Sequence, residues 1–116
     1  MDGSVSFFEL GVGDTDKART FYGQLFGWEF VDEKGGATIE TPNIPGGLHG
    51  GDPGASPYLF FRVSDLSAAL ERVRALDGDV GDYTSDETED KVARFGRFQI
   101  CTDNQGSTFG LHQPPA

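Results

Sequence analysis

Leu10–Asp14 (LGVGD) and Phe61–Asp65 (FRVSD) begin two copies of one pattern, 51 positions apart (from 10 to 61 and from 14 to 65). In each copy, alternating apolar residues typical of a strand lead to an Asp suited to the N-cap of a helix. A helix with one apolar stripe follows, and a glycine stands where that helix is expected to end. A strand–helix unit of this length cannot bury its apolar face alone. The repeat therefore predicts a pseudo-symmetric domain.

The same patterns predict the order βαβββ in each copy. The first helix is expected at Asp14–Phe26 and the second at Asp65–Leu76, ending at Gly27 and Gly78. Their inward stripes are predicted to be Ala18, Phe21, Tyr22 and Leu25 in the first helix, and Leu66, Ala69, Leu70, Val73 and Leu76 in the second. The predicted strands are 5–12, a strand from Trp28, 37–41, 46–50, 58–63, 93–102 and 107–112.

Length and charge limit the classes of function. A chain of 116 residues is the size of one domain, and its formal net charge of −10 disfavours nucleic acid and anionic membranes as partners. Cys101 is the only cysteine, so an intrachain disulfide or a thiolate metal cluster is excluded, and we expect it to be a small buried apolar group. No apolar run or signal segment indicates a membrane span or export, so a cytoplasmic location is expected. The densest acidic cluster is predicted to lie in a solvated loop: Asp82, Asp86, Glu87, Glu89 and Asp90.

Three segments resemble the vicinal oxygen chelate superfamily of glyoxalase I, bleomycin-resistance proteins and extradiol dioxygenases. They are Gly13–Trp28 (GDxxxARxFYxxLFGW), Val63–Leu70 (VSDLxAAL) and Gly96–Leu111 (GRFxxxxDxxGxxFGL). The resemblance implies an α+β fold in which two βαβββ modules form a curved, partly closed mixed sheet around a cavity, with the helices outside. It implies one domain over residues 1–116, with modules at about 4–51 and 57–113. Single-domain members of the superfamily commonly form their cavity with a partner chain, so we expect a homodimer.

The resemblance also locates the four metal-ligand positions of metal-dependent members. They fall on Phe7, Gly47, Tyr58 and Gly110. None of these residue types is a good ligand, because Phe and Gly lack a donor side chain and neutral Tyr is a poor ligand. We therefore expect no metal at the usual site and no cofactor.

The chain's only two histidines leave a displaced metal site open as an alternative. Gly47–His49 and Gly110–His112 are the same tripeptide at equivalent places in the two modules. Strand residues two apart share a face, so each histidine points the way the missing ligand would have pointed. With Glu9 nearby, the set His49, His112 and Glu9 is a conceivable ligand triad, although histidines at strand ends are more often rim groups.

The face of the first strand that carries Glu9, and the face of the fifth that carries Arg62, are predicted to line the cavity. Glu9 and Arg62 could orient a ligand, act as a general base with its modulator, or form a structural salt bridge. The aromatic residues on these faces could stack on a flat ligand or belong to the core. The complete predicted ligand site is Phe7, Glu9, His49, Tyr58, Phe60, Arg62 and His112.

The sequence thus predicts a metal-independent protein that binds an unidentified small molecule in an aromatic cavity, as the bleomycin-resistance branch does. The alternative is a lyase, isomerase or dioxygenase-like enzyme of the same superfamily, with Glu9 or a histidine as base or with a displaced metal. Whether the chain is an enzyme stays open, because the metal-ligand positions that would decide it carry no ligands.

Overall fold

The computed structural model describes residues 2–82 and 88–116 and shows an α+β protein, as predicted. The chain forms two compact units. The first unit is Phe7–Tyr58, and the second is Leu59–Ala116 together with the residues up to Ser6. In chain order the elements are β1 (Val5–Gly11), α1 (Thr15–Phe26), β2 (Glu29–Glu33), β3 (Gly36–Glu40), β4 (Gly46–His49), β5 (Tyr58–Arg62), α2 (Leu66–Ala75), β6 (Asp79–Val80), α3 (Glu89–Phe95), β7 (Arg97–Thr102) and β8 (Thr108–Gln113).

The strands of the two units follow the same topology. In the first unit the strand order is β2-β3-β4-β1, and in the second it is β6-β7-β8-β5. Each unit's first strand pairs in parallel with its last, so Glu9 lies opposite Gly47 and Phe60 lies opposite Gly110. The other pairings within a unit are antiparallel. The predicted repeat is therefore confirmed, although β6 lies outside the predicted strand ranges and α3 is an addition to the second copy.

Each unit has its own apolar core between its helix and one face of its strands. In the first unit, Ile39 is 1% exposed, and Trp28 packs against the buried residues from outside. In the second unit, Cys101 is fully buried, and burial raises the pKa of its thiol, which fits the predicted role as a small apolar group. The buried core residues are Leu10, Ala18, Ala37, Ile39 and Leu48 in the first unit, and Leu66, Cys101 and Leu111 in the second.

The predicted N-caps of the two long helices are confirmed. The side chain of Asp14 accepts hydrogen bonds from the backbone N–H groups of Asp16 and Lys17, at 2.9 and 3.1 Å. The side chain of Asp65 accepts one from Ala68 at 3.1 Å. These bonds satisfy N–H groups that the first turn of a helix leaves without partners.

The helix ends differ between the two copies. Gly27 ends α1 with φ +74°, as predicted, but the residue in the left-handed region after α2 is Asp77, with φ +68°, and not Gly78. A Cβ at Gly78 would lie 2.7 Å from the carbonyl oxygen of Thr102. Gly78 is therefore required for the close approach of the backbone to β7, while Asp77 accepts the strained conformation.

The prediction of the inward stripes is wrong at three positions. Phe21 and Leu25 of α1, and Leu76 after α2, are all more than half exposed. Ala18 and Tyr22 do pack on the core of the first unit. The apolar sequence stripe is wider than the strip of helix that the sheet covers, so its flank remains in solvent.

The region before β7 also differs from the prediction. Glu89 and Asp90, predicted in a loop, begin α3, and the strand predicted from residue 93 begins at Arg97. The side chain of Thr88 caps α3 by accepting from the N–H of Lys91 at 3.2 Å, and acids in a first turn favour a helix. The other acids of the predicted loop, Asp86 and Glu87, lie outside the described residues.

Within the described part of the chain, no helix combines the length and apolar character that crossing a bilayer requires.

Replacing Asp77 by glycine should raise the free energy of unfolding by about 0.5–1 kcal/mol, because glycine adopts a positive φ without steric strain. The matched control is Asp79→Gly in β6, where φ is not positive and where glycine should lower stability by a similar amount. Urea denaturation of both variants measures the difference. A loss of stability in D77G would show that the Asp77 side chain stabilises the turn more than its conformation costs.

Candidate functional site

Glu9 and His49 form the centre of the candidate site, which lies in the first unit. The parallel register of β1 and β4 places Glu9 opposite Gly47 and Gly11 opposite His49. Because strand residues two apart share a face, the Glu9 and His49 side chains meet diagonally across the two strands. The Nδ1 atom of His49 lies 2.6 Å from Oε2 of Glu9, which is a short charge-assisted hydrogen bond.

Asp52 binds the other nitrogen of the same imidazole. Its Oδ2 atom lies 2.9 Å from Nε2 of His49 and also accepts a hydrogen bond of 3.0 Å from the hydroxyl of Tyr58. The backbone N–H of Asp52 donates to the carbonyl of Val12 at 3.0 Å, which fixes this loop beside the end of β1. We call Glu9, His49, Asp52 and Tyr58 the polar cluster.

Two glycines provide the space for the polar cluster. A Cβ at Gly47 would collide with Oε1 of Glu9, so the Glu9 carboxylate occupies the volume that a side chain at position 47 would take. A Cβ at Gly11 would collide with Oδ2 of Asp52 and lie 2.9 Å from Nε2 of His49. The cluster therefore depends on glycine at both positions.

The hydrogen bonds of the polar cluster favour a protonated His49. With Glu9 and Asp52 ionised, both carboxylates accept from His49 only when both ring nitrogens carry a proton, which is the imidazolium form. Burial alone would lower the pKa of His49, but its hydrogen bonds to Glu9 and Asp52 outweigh this effect and raise it. Burial raises the pKa of Glu9 despite the opposing bond to His49. The bonds from His49 and Tyr58 lower the pKa of Asp52, and the bond to Asp52 raises the pKa of Tyr58.

The second unit places His112 in a different environment. It is only 5% exposed, and its ring stacks on Phe98 with centroids 4.3 Å apart and planes 4° from parallel. Phe98 in turn meets Phe60 edge to face at 5.3 Å. The Nε2 atom of His112 donates to the carbonyl of Phe95 at 2.7 Å, so Nδ1 can accept from the hydroxyl of Ser6 at 2.8 Å. His112 is therefore a structural group of an aromatic stack.

The charge state of His112 differs from that of His49. Burial lowers the pKa of His112, the bond to the Phe95 carbonyl opposes that shift, and the positive charge of Arg62 adds to it. Arg62 itself forms a salt bridge of 3.3 Å with Asp2. His112 is thus held as a neutral imidazole.

The predicted site residues divide between the two units. In the first unit, Glu9, His49 and Tyr58 belong to one hydrogen-bonded cluster, and Phe7 is buried. In the second unit, Phe60 and His112 belong to the aromatic stack through Phe98, while Arg62 binds Asp2. Glu9 therefore pairs with His49, and Arg62 pairs with Asp2.

Sequence reasoning missed Asp52. This residue lies in the segment Gly51–Pro57, which reads as a linker of turn-forming residues. The available signal was its spacing: Asp52 follows His49 by three positions across two glycines, a separation short enough for the chain to turn back on the ring.

The residues present do not fit the metal of the metal-dependent superfamily members. At the four ligand positions, Phe7 has no donor, Glu9 fills the space over Gly47, and the Phe60 ring fills the space over Gly110. The Tyr58 hydroxyl donates to Asp52. Among residues 2–82 and 88–116, no three His, Cys, Asp or Glu side chains are grouped so that they could hold a metal ion. A displaced site at the histidines would require breaking the hydrogen bonds that both nitrogens of each ring make.

Comparison with known families identifies the class of protein. Residues 4–111 match the Glyoxalase/Bleomycin resistance protein/Dioxygenase superfamily, and the chain belongs to this family. No curated protein matches the chain.

Solved structures show the same fold at low sequence identity. Methylmalonyl-CoA epimerase from Mycobacterium tuberculosis is 22% identical with a TM-score of 0.69, and the match covers 97% of this chain and 89% of that one. A hypothetical protein from Bacillus halodurans is 10% identical with a TM-score of 0.71, covering 100% and 97%. A catechol 2,3-dioxygenase is 17% identical with a TM-score of 0.65, and the match covers 98% of this chain but 40% of the dioxygenase.

The two histidines should affect stability with opposite dependence on pH. Because the pKa of His112 is lowered in the folded state, its burial stabilises the protein above pH 6.5, the ordinary pKa of histidine. This stabilisation is lost as the pH falls through the folded-state pKa. Because the pKa of His49 is raised in the folded state, its hydrogen bonds stabilise the protein below pH 6.5. This stabilisation is lost as the pH rises through the folded-state pKa.

Urea denaturation across a pH series tests this difference with the matched variants His112→Gln and His49→Gln. In H112Q the free energy of unfolding should change less with pH below 6.5 than in the wild type. In H49Q it should change less with pH above 6.5. If the free energy of unfolding falls as steeply with decreasing pH in H112Q as in the wild type, the assignment of His112 as a neutral buried group is wrong.

Proposed function

We propose that this protein binds a small organic ligand without a metal ion and that the polar cluster forms the polar side of the binding site. One observation carries the proposal: the Glu9 carboxylate, joined to the His49 imidazolium, occupies the space over Gly47 where the superfamily would place a ligand side chain. A protonated side chain therefore supplies the positive charge of the site.

Exposure and charge support a binding role. The side chains of His49 and Asp52 are each 36% exposed, and that of Glu9 is 24% exposed, so a ligand can reach all three. Two carboxylates and one imidazolium give a net charge of about −1. The rings of His49 and Tyr58 lie 6.1 Å apart and are tilted by 32°, which adds an aromatic surface. This combination favours a planar ligand that presents hydrogen-bond donors.

Ligand binding should be unaffected by chelation and sensitive to the polar cluster. The probe is bleomycin, from which the family takes part of its name. Isothermal titration calorimetry in the presence of EDTA measures its affinity. Glu9→Gln should weaken binding at least about tenfold, because it removes the charged partner of His49. The matched control Asp32→Asn changes an exposed acid outside the cluster and should bind like the wild type. Binding that appears only when a divalent metal is added would overturn the proposal.

A second candidate function is proton transfer, which the Glu9–His49 pair specifically favours. A carboxylate with a raised pKa is a stronger base than an ordinary one, and His49 can adjust its protonation through a bond of 2.6 Å. Glu9 would take the proton from a carbon next to a carbonyl, leaving the electron pair in an enolate, and return it to that carbon. Return to the same face exchanges the proton with solvent, whereas inversion of the centre, the reaction class in the name of the structurally similar epimerases, would require a second acid on the opposite face of the enolate.

Solvent exchange separates proton transfer from binding alone. Methylmalonyl-CoA in deuterated water should gain deuterium at C2 if Glu9 acts as a base, with mass spectrometry as the readout. The rate should fall as the pH drops through the raised pKa of Glu9, because the protonated carboxyl cannot accept a proton. E9Q should abolish the exchange, and D32N should retain it. The absence of exchange in the wild type would exclude proton transfer on this substrate and leave the binding role.

A further inference from the structure

The outer side of α1 carries an aromatic surface in contact with solvent. Phe21, Leu25 and Phe26 are 60%, 58% and 56% exposed. The rings form a continuous series, with centroids 5.1 Å apart for Phe21 and Tyr22, 6.3 Å for Tyr22 and Phe26, and 4.8 Å for Phe26 and Trp28. We call Phe21, Tyr22, Leu25, Phe26 and Trp28 the α1 surface.

The internal repeat shows that the fold does not require this surface. At the positions 51 residues further on, α2 and its C-terminal end carry Arg72 in place of Phe21 and Asp77 in place of Phe26. Both residues are exposed and charged, and α2 still packs on the core of its own unit. A helix at this place in the fold therefore packs on its core without phenylalanine at these two positions.

We propose that the α1 surface is the interface at which two copies of this chain pack against each other about a two-fold axis. A two-fold axis brings the same apolar surface of both copies into contact, and two-fold dimers are the commonest soluble assemblies. The proposal is independent of the proposed function, because none of the polar-cluster residues belongs to this surface.

The exposed area suits a dimer. A fully covered Phe removes about 150–250 Å² from water, so covering the exposed parts of Phe21 and Phe26 removes about 200 Å², and Leu25 adds about 100 Å². Two copies together then bury about 600 Å² from these three side chains alone, roughly half of a small stable interface of about 1,200 Å². The exposed polar residues Thr20 and Gln24 stand next to them on the helix, as a polar rim would.

Charge favours a second copy over other partners. The chain carries −10 overall, which disfavours the phosphates of nucleic acid and an anionic membrane. Within α1, however, two bases (Lys17 and Arg19) exceed the single acid, Asp16. The charges of α1 itself therefore do not add to the repulsion between two acidic copies.

Sedimentation velocity at micromolar concentration tests the interface. The wild type should sediment with twice the 12.5 kDa chain mass. The double variant F21R/F26D gives α1 the residues that α2 carries at the same positions and leaves the net charge unchanged, so it should sediment as a monomer. The control Leu76→Gln removes an equally exposed leucine outside the surface and should remain a dimer. A monomeric wild type, or a dimer that F21R/F26D does not weaken, overturns the proposal.

A second measurement keeps the test valid if F21R/F26D does not fold. A nitroxide on Gln24→Cys, an exposed position of α1, leaves every residue of the α1 surface in place, and fully buried Cys101 stays unlabelled. Dipolar coupling between the labels of two copies should be strong, whereas a label on Asp77→Cys should show weaker coupling. Stronger coupling at position 77 than at position 24 would place the interface elsewhere and contradict the proposal.

Discussion

Parallel pairing between the first and last strands of each unit is the constraint on which the two histidine environments depend. It sets a glycine of the last strand opposite the central residue of the first: Gly47 opposite Glu9, and Gly110 opposite Phe60. In both units the facing side chain fills the volume that the glycine leaves. The same backbone arrangement therefore accommodates a charged cluster in one unit and an aromatic stack in the other.

The partners around each histidine determine its charge. Beside Glu9, His49 meets a carboxylate at each nitrogen and carries a proton on both. His112 stands at the equivalent place among aromatic rings and donates to a backbone carbonyl, so it stays neutral. Two identical tripeptides thus differ in protonation because hydrogen-bond partners and burial, and not local sequence, set the pKa of an imidazole.

The fold was predictable from sequence wherever the signal is local. The caps at Asp14 and Asp65 and the glycine after α1 depend on short-range hydrogen bonds and backbone conformation, and both helices lie where these residues indicate. Exposure of Phe21 could not be predicted, because it depends on how much of the helix the sheet covers. The helix α3 was missed because its capping residue, Thr88, follows an acidic stretch without apolar periodicity.

The candidate site was predictable only in part. Glu9 and His49 share a strand face with the superfamily's ligand positions, so their roles follow from the period of a strand. Asp52 could not be found in this way. It lies in a loop, and the sequence of a loop has no period from which the direction of a side chain can be predicted.

The positive charge of a protonated imidazole depends on the pH, whereas the charge of a bound metal ion depends on the supply of that ion. The charge of His49 is present only while both of its ring nitrogens are protonated, and once it is lost, Glu9 and Asp52 remain as two negative groups around one neutral ring. Asp52 is also bonded through its backbone to Val12, so the conformation of the loop after β4 is coupled to that proton. In the metal-independent function proposed here, the acidity of the surrounding solution is therefore the variable that sets the state of this unit.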